Sequence, residues 1–328
     1  MRKAVPPAKF SQIAPPNENY AYFEDQQNSP FVADANSFSL VNAGWLADFA
    51  LLAYGDEAFI KDKLDRSGLT GAGFHLQFFS SKTTQCFVAH NADIAVLSFR
   101  GTEIDNFMGG FADWVRNLDF KPVNDPSGGR VHRGFAQSMA AVWNDDANPD
   151  SVKRHLQQLL ASGTRTLWIT GHSLGAALAV LAAERAAREG GLRVSGVYTF
   201  GCPCAGDASF REHYQARDLQ SRTYRFVNSQ DVVRRLPPGE DYQHVGQLKF
   251  IDASGQLREE LAVEPDAGRG LPIATRGQER MVHLFGLLGR KVGARLDNLF
   301  TVTIPAPFAD HAPIYYATHI WNSLAARK

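Results

Sequence analysis

The stretch LWITGHSLGAALAVLAAERAA (Leu167–Ala187) joins an apolar, strand-like run to an alanine-rich, helix-like run, and Ser173 stands at the joint between Gly171 and Gly175. The pattern Gly-x-Ser-x-Gly is weak evidence alone, because chance gives roughly 0.1 occurrences in a chain of this composition. A strand before the serine and a helix after it are the setting of a nucleophile elbow, whose strained turn exposes the hydroxyl. The alternative is a serine that only caps the helix.

The order of elements around this stretch predicts the fold class. Strand-like runs alternate with helix-like runs, and the joints between them are short. This alternation is typical of a mostly parallel sheet with helices on both faces. The predicted strands are 92–101, 166–170, 194–200 and 222–228, and the predicted helices include 41–55, 173–189 and 207–217.

Composition excludes several classes of protein. The chain has 328 residues, 44% of them hydrophobic, and its formal net charge is zero, which does not suggest nucleic acid as a partner. Its three cysteines, Cys86, Cys202 and Cys204, form no disulfide framework and no paired metal motif. We expect no metal or organic cofactor. No secretory signal and no transmembrane run is visible, so a cytoplasmic location or a leaderless export route is expected.

A serine nucleophile needs a general base, which in a sheet of this type follows the serine and the acid in the chain. Five histidines follow the serine. His213, His283 and His319 fall in helical patterns, and His244 opens a strand-like run. His311 alone falls in a loop, where scaffolds place mobile functional groups. We therefore favour His311 as the base and keep His244 in reserve.

The acid that orients the base should lie at a strand end, where sites on such sheets gather. Asp231 follows the strand-like run Tyr224–Val227 directly. Asp241 is possible but lies further from that strand end, and Asp207 comes one strand too early and resembles a helix cap. The oxyanion donors are expected to be the N–H of Leu174, at the start of the helix, and that of Thr102, after another strand end.

Seven motifs together resemble the class 3 lipases, the filamentous-fungal-type triacylglycerol lipase family. They are FRGT, DWVRNLDF, VHRGF, ITGHSLGAALA, YTFGCPCAGD, FVNSQDVVRRLPP and DHAPIYY, and they cover about half the chain in the family's order. The resemblance implies an α/β-hydrolase fold, a Ser173–Asp231–His311 triad and an oxyanion hole at Thr102 and Leu174. It also implies that His172 and Arg100 are structural and that a lid follows Thr102.

The segment that follows Thr102 is predicted to be a lid. The lid candidate EIDNFMGGFADW (103–114) sets apolar residues among glycines, and a packed loop is its alternative. The apolar lid residues are Phe107, Met108, Phe111 and Trp114. Residues 1–38 form a surface arm outside a single domain at 39–328.

The stretch before the base is predicted to carry an insertion near 252–300. Within it, apolar residues fall on one side of a predicted helix from Met281 to Leu299. That stripe packs either on the core of the domain or beside the serine pocket. The apolar positions are Met281, Phe285, Leu288, Val292, Leu296 and Leu299.

These residues predict a serine carboxylic-ester hydrolase that forms an acyl-enzyme. The expected partner is a lipid or ester substrate, met at a lipid–water interface. A lipase acting on acylglycerols is favoured, with a phospholipase A1 or an aryl-ester esterase as the alternative. An acyltransferase and an inactive binding scaffold are further readings.

Overall fold

The computed structural model describes residues 2–102, 121–143, 151–189, 192–237, 241–258 and 303–328. Two sheets lie in this part of the chain. The strands are β1 (His75–Ser80), β2 (Gln85–His90), β3 (Ile94–Phe99), β4 (Pro122–Asn124), β5 (Arg130–His132), β6 (Thr166–His172), β7 (Val194–Phe200), β8 (Gly206–Asp207), β9 (Thr223–Asn228), β10 (Tyr242–Gln243), β11 (Gln247–Ile251) and β12 (Leu257–Arg258).

The larger sheet has eight strands in the order β1-β2-β3-β6-β7-β9-β11-β12. Its central pairs, from β3 to β11, are parallel, and the pairs at both edges are antiparallel. The carboxyl ends of β3, β6, β7 and β9 therefore meet at one edge, which is where sites form in such sheets. The predicted mostly parallel α/β architecture is confirmed.

Helices cover both faces of this sheet. They are α1 (Phe10–Ile13), α2 (Leu40–Leu52), α3 (Glu57–Arg66), α4 (Arg133–Trp143), α5 (Val152–Leu160), α6 (Leu174–Arg188), α7 (Ala208–Ala216), α8 (Ala306–Ala309) and α9 (Pro313–Ala325). Helices α2 and α9 pack together on one face, and α4 and α6 pack together on the other.

Alternating side chains divide the core into two apolar clusters. In β3, Val96 belongs to the cluster under α2 and α9, while Leu97 belongs to the cluster under α4 and α6. Strand β6 divides in the same way at Trp168 and Ile169. Because successive side chains of a strand point to opposite faces, a continuous apolar run marks a strand that is buried on both.

A second, smaller sheet was not predicted. It has four short strands in the order β10-β8-β5-β4, and all three pairs are antiparallel. Strands of two or three residues carry no detectable periodicity, which is why the sequence gives no signal for them. Strand β12, which falls in the first residues of the predicted insertion near 252–300, pairs with β11 in the main sheet.

The arm before α2 is more deeply packed than the prediction of a surface arm implies. Ile13 and Phe23 are fully buried, and the ring of Phe23 lies 4.7 Å from that of Phe49 in α2. The Tyr20 hydroxyl and the Phe23 N–H both donate to the buried Asp48 carboxylate, at 2.8 and 2.7 Å. The arm thus supplies part of the core on the α2 face.

Two predicted features lie outside the described residues. One is the lid candidate 103–114, and the other is the helix with its apolar stripe from Met281 to Leu299. Among the residues that are described, no helix combines the length and the apolar character needed to cross a bilayer.

The buried Asp48 carboxyl is expected to make the free energy of unfolding depend on pH. Burial raises the pKa of its carboxyl to about 6, against an ordinary value of 3.8. The folded chain therefore binds a proton that the unfolded chain releases between these values, and the free energy of unfolding falls as pH rises through them. In the wild type this group lowers the free energy of unfolding by about 3 kcal/mol between pH 4 and 7, and we expect Asp48→Asn to remove that decrease.

Denaturant titrations of the wild type and of Asp48→Asn at several pH values measure this difference. Asp25→Asn is the control, because the hydrogen bond from Lys328 lowers the pKa of that carboxyl and reverses the sign of its contribution. The prediction would be contradicted if the free energy of unfolding of the wild type, relative to that of Asp48→Asn, increased from pH 4 to 7.

Candidate active site

Ser173 is the single residue between β6 and α6. Its backbone has φ 58° and ψ −125°, a strained conformation for a residue with a side chain. Its N–H is held by the Phe200 carbonyl at 3.0 Å, at the end of β7. The side chain makes no capping hydrogen bond to α6, so the helix-cap alternative does not describe this hydroxyl.

The glycines on either side of the serine allow the close approach of three backbone segments. A Cβ at Gly175 would lie 2.3 Å from the Phe99 carbonyl oxygen, at the end of β3. A Cβ at Gly171 would lie 2.3 Å from the Gly175 carbonyl oxygen. Side chains at these positions would force α6 away from β3 and β6, and the turn at the serine would open.

His311 lies in the turn between α8 and α9, as predicted for a loop. Its Nε2 is 2.9 Å from the Ser173 Oγ, and its Nδ1 is 2.8 Å from the Asp231 Oδ2. A carboxylate only accepts, so Nδ1 carries the proton and Nε2 is left to accept from the serine hydroxyl. The structure therefore brings the three predicted triad residues together.

Asp231 is fully buried in the turn after β9, and three donors surround its carboxylate. Besides His311, the Val233 N–H donates to Oδ1 at 2.8 Å, and the Tyr316 hydroxyl donates to Oδ2 at 2.5 Å. The Tyr316 oxygen accepts in turn from the Asn228 N–H at 3.0 Å. Burial raises the pKa of Tyr316, which keeps the phenol protonated as a donor.

Two residues of this centre were quoted in the sequence motifs but received no predicted role. One is Tyr316, the last residue of DHAPIYY. The other is Gly201, whose φ is 58° and whose absent Cβ would lie 2.7 Å from the Asp231 Oδ2 and 2.8 Å from the His311 Nδ1. Only a glycine at the end of β7 leaves space for the acid–base pair.

His172 connects the elbow to the base, in agreement with the structural role that the resemblance implies. Its Nε2 is 2.7 Å from the His311 carbonyl oxygen, so Nε2 carries the proton and donates. Its Nδ1 then accepts from the Tyr54 hydroxyl at 2.7 Å. Burial, followed by the proximity of His311, lowers the pKa of His172 and keeps its ring neutral.

Tyr54 also contacts the strand end that leads to Thr102. A Cβ at Gly101 would lie 1.9 Å from its hydroxyl oxygen, so the turn after β3 passes directly over this side chain. No pattern in the sequence singled out Tyr54, which follows α2 and lies 118 residues before its partner His172. Its role is visible only in three dimensions.

The two predicted oxyanion donors lie at neighbouring strand ends. The N–H of Leu174 begins α6 and donates to no acceptor among the described residues. Thr102 follows the end of β3, and its buried Oγ1 has no hydrogen-bond partner in the described part of the chain. The Arg100 N–H donates to the Gln85 carbonyl at 3.0 Å and holds this strand end to β2.

The alternative acids and bases are placed elsewhere. The His244 Nε2 is bonded to the Arg234 carbonyl oxygen at 2.7 Å, and Asp241 is exposed beside β10. Asp207 caps α7 by accepting from the Phe210 N–H at 2.9 Å, as its sequence position suggested. None of the three contacts the Ser173 centre. The lid residues fall outside the described residues.

Residues 96–240 match the family described as Lipase (class 3). The lipase of Rhizomucor miehei is 36% identical over 145 residues, which cover 42% of this chain and 38% of that protein. Phospholipase A1-II 6 of Oryza sativa subsp. japonica is 30% identical over 168 residues, covering 43% of this chain and 41% of that protein.

The chain thus spans about two fifths of the length of these relatives. Among solved structures, lipase II of Rhizopus niveus superposes with a TM-score of 0.55 at 23% identity, covering 65% of this chain and 81% of that one. This likeness confirms the predicted α/β-hydrolase fold. The family match, which spans the elbow and the acid, shows that residues 96–240 are similar to the class 3 lipases.

Proposed function

We propose that the chain is a serine carboxylic-ester hydrolase, a lipase acting on acylglycerols. The observation that carries the proposal is the continuous hydrogen-bond chain from the Ser173 hydroxyl through His311 to Asp231, with the serine held in a positive-φ elbow. A serine hydroxyl is a weak nucleophile at neutral pH unless a positioned base removes its proton. The family relation supports the same chemistry.

The reaction proceeds in two balanced halves. His311 Nε2 takes the Ser173 proton as the oxygen attacks the ester carbonyl carbon, and a tetrahedral oxyanion forms. The imidazolium then gives its proton to the departing alcohol, and the serine ester remains. Water repeats the sequence, with its proton taken by Nε2, and releases the carboxylic acid. Asp231 keeps the proton of His311 on Nδ1 and stabilises the imidazolium.

The oxyanion is expected to accept hydrogen bonds from the N–H groups of Thr102 and Leu174. The Leu174 N–H lies at the start of α6, where the helix dipole favours negative charge. Its lack of an acceptor in the described residues leaves it available for such a charge. Preorganised donors of this kind contribute about 3 kcal/mol each to transition-state stabilisation.

The substrate needs a change of conformation to reach the serine. Ser173 and His311 are each only 4% exposed. The segment 103–114, which follows the Thr102 turn directly and carries four large apolar side chains, is the proposed lid. Opening on a lipid surface would uncover the triad and turn those side chains toward lipid. This step favours water-insoluble esters.

Phospholipase A1 activity is the second candidate, since a rice relative carries that name. The triad serves both reactions, so the pocket decides between them. Hydrolysis rates on emulsified triacylglycerol, diacylglycerol and phosphatidylcholine would separate the two, and product analysis with added alcohol would detect acyl transfer. Failure of all substrates and of active-site labelling would leave the inactive scaffold.

The first prediction concerns the nucleophile. Ser173→Ala should abolish labelling by a fluorophosphonate probe and lower the rate of ester hydrolysis by roughly 10⁴-fold or more, because triad members act as a unit. Melting temperature should change little, since His311 is the one hydrogen-bond partner of the hydroxyl among the described residues. Hydrolysis by this variant within tenfold of the wild type would refute the assignment.

The second prediction separates the acid and the base from their alternatives. Asp231→Asn and His311→Ala should each lower kcat by roughly 10³-fold or more. Asp241→Asn and His244→Ala are the matched controls and should stay within a few-fold of the wild type. Loss of ester hydrolysis in His244→Ala would show that the base was misassigned.

The third prediction concerns Tyr316 as a positioning residue for the acid. Tyr316→Phe removes a donor to the Asp231 carboxylate, so kcat should fall about tenfold with KM nearly unchanged. Tyr214→Phe is the control. It removes a buried hydroxyl that lies outside the site and forms a hydrogen bond of 2.7 Å with Thr223. Equal kcat for the two variants would mean that Tyr316 only stabilises the fold.

A further inference from the structure

Residues 2–9, here called the strap, run along the chain segment that carries the base. The strap lies outside the residues matched by the family. Its contacts with residues 303–322 begin at Lys3, whose N–H donates to the Asn322 Oδ1 at 2.6 Å. The Asn322 Nδ2 donates back to the Lys3 carbonyl at 2.9 Å. This reciprocal pair fixes one end of the strap to α9.

The other end of the strap reaches the segment before His311. The Tyr315 hydroxyl donates to the Pro6 carbonyl at 3.0 Å, and Ile304 N–H donates to the Ala8 carbonyl at 2.7 Å. Lys9 and Thr303 form an antiparallel bridge. The strap therefore pairs with residues 303 and 304 through an isolated β-bridge and one further backbone hydrogen bond, and it contacts the first turn of α9.

From Ile304, a short series of contacts leads to the acid and the base. Ile304 is 3% exposed, and α8 follows it immediately. The Pro307 carbonyl in α8 accepts from the Val232 N–H at 3.3 Å, next to the acid. The Asp310 carboxylate accepts from the Gln230 N–H at 3.0 Å, and the Asp310 carbonyl accepts from the Asn228 Nδ2 at 2.9 Å.

The base needs such an anchor because it is distant in sequence from its partners. Asp231 precedes His311 by 80 residues and Ser173 precedes it by 138. Ordering a segment at the end of so long a connection costs conformational entropy, and a catalytic group must be held to within about 0.5 Å. Helix α9 fixes the segment only from its carboxyl side. On the amino side, the strap adds its contacts at residues 303 and 304 to those that Pro307 and Asp310 make with the turn of the acid.

We infer that the strap is a positioning element for catalysis: it clamps residues 303–310 so that His311 keeps its distance to Ser173 and Asp231. This inference rests on the proposed function for its kinetic consequence. Its structural consequence, the ordering of 303–311, does not depend on that function. Loss of the strap should lower the fraction of molecules with an assembled triad and so lower kcat more than it changes KM.

The test uses the full chain and a variant that lacks residues 2–9. Both chains are assayed at a temperature below their melting temperatures. The shortened chain should then hydrolyse a short-chain nitrophenyl ester with a kcat at least tenfold lower than that of the full chain and a KM within threefold of it. Hydrogen exchange in residues 303–311 should be at least tenfold faster. A synthetic peptide of residues 1–14, added in excess, should restore both.

A second variant guards against misfolding of the shortened chain. Tyr315→Phe combined with Asn322→Leu keeps every residue of the strap but removes three of its hydrogen bonds, and it should lower kcat about threefold with faster exchange at 303–311. Lys328→Ala is the matched control: it breaks a contact between Asp25 and the far end of the chain, at 2.8 Å, that does not lead to the base. Its kcat should stay within 1.5-fold of the wild type.

The inference is overturned if either strap variant is folded, has unchanged kcat and shows unchanged exchange at 303–311. It is also overturned if Lys328→Ala lowers kcat as much as the double variant, since the effect would then be general stability. A wild type that neither hydrolyses esters nor reacts with a fluorophosphonate would refute the proposed function instead. In that case the exchange measurement alone decides the role of the strap.

Discussion

The close approach of β3, β6 and the start of α6 is the constraint on which the site depends. It brings the carbonyl of Phe99 within 2.3 Å of where a Cβ at residue 175 would be, so glycine alone satisfies it. Because α6 begins there without a linker, Ser173 must take up a positive φ, and its side chain faces the sheet edge instead of its own helix. The N–H of Leu174 begins α6 beside the same edge and has no acceptor in the described part of the chain.

A buried polar centre is stable only when its hydrogen bonds are satisfied, and here each side chain of the triad has partners. The Asp231 carboxylate receives three donors, and the Tyr316 hydroxyl that supplies one of them is itself bonded to the Asn228 N–H. His172 extends the network to Tyr54 on the opposite side of His311. These contacts determine the tautomer of both imidazoles, which leaves the Nε2 of His311 as the acceptor that a general base requires.

The sequence predicted the parts of this centre that carry a local signal. The elbow is contiguous in the chain, and Asp231 is recognisable because it follows an apolar strand. His311 is distinguished from four other histidines by the absence of helical or strand periodicity around it. In each case the residue type and its immediate neighbours restrict the chemistry, so position in the chain is sufficient evidence for a prediction.

The remaining parts depend on contacts between distant residues and have no such signal. Tyr54 is one aromatic residue after a largely apolar helix, and nothing near it indicates a histidine 118 residues later. In the sequence, Gly201 resembles any glycine at a strand end. The structure shows that the acid–base pair occupies the space that a side chain at this position would need. The burial of Ile13 and Phe23 was missed for the same reason: a proline-rich, polar segment hides a few anchoring residues that alternate with exposed ones.

These distant contacts share one mechanical consequence. The serine and the acid follow the ends of β6 and β9, which belong to one sheet with β7 between them, so this sheet sets their separation. The base lies on a turn between two helices and has no strand of its own. Its position is set instead by three outside contacts: Asp310 with the acid turn, the carbonyl of His311 with His172, and the backbone of 303–304 with the strap. Of the three proposed catalytic groups, the base is therefore the one whose placement depends on side-chain contacts and on the strap.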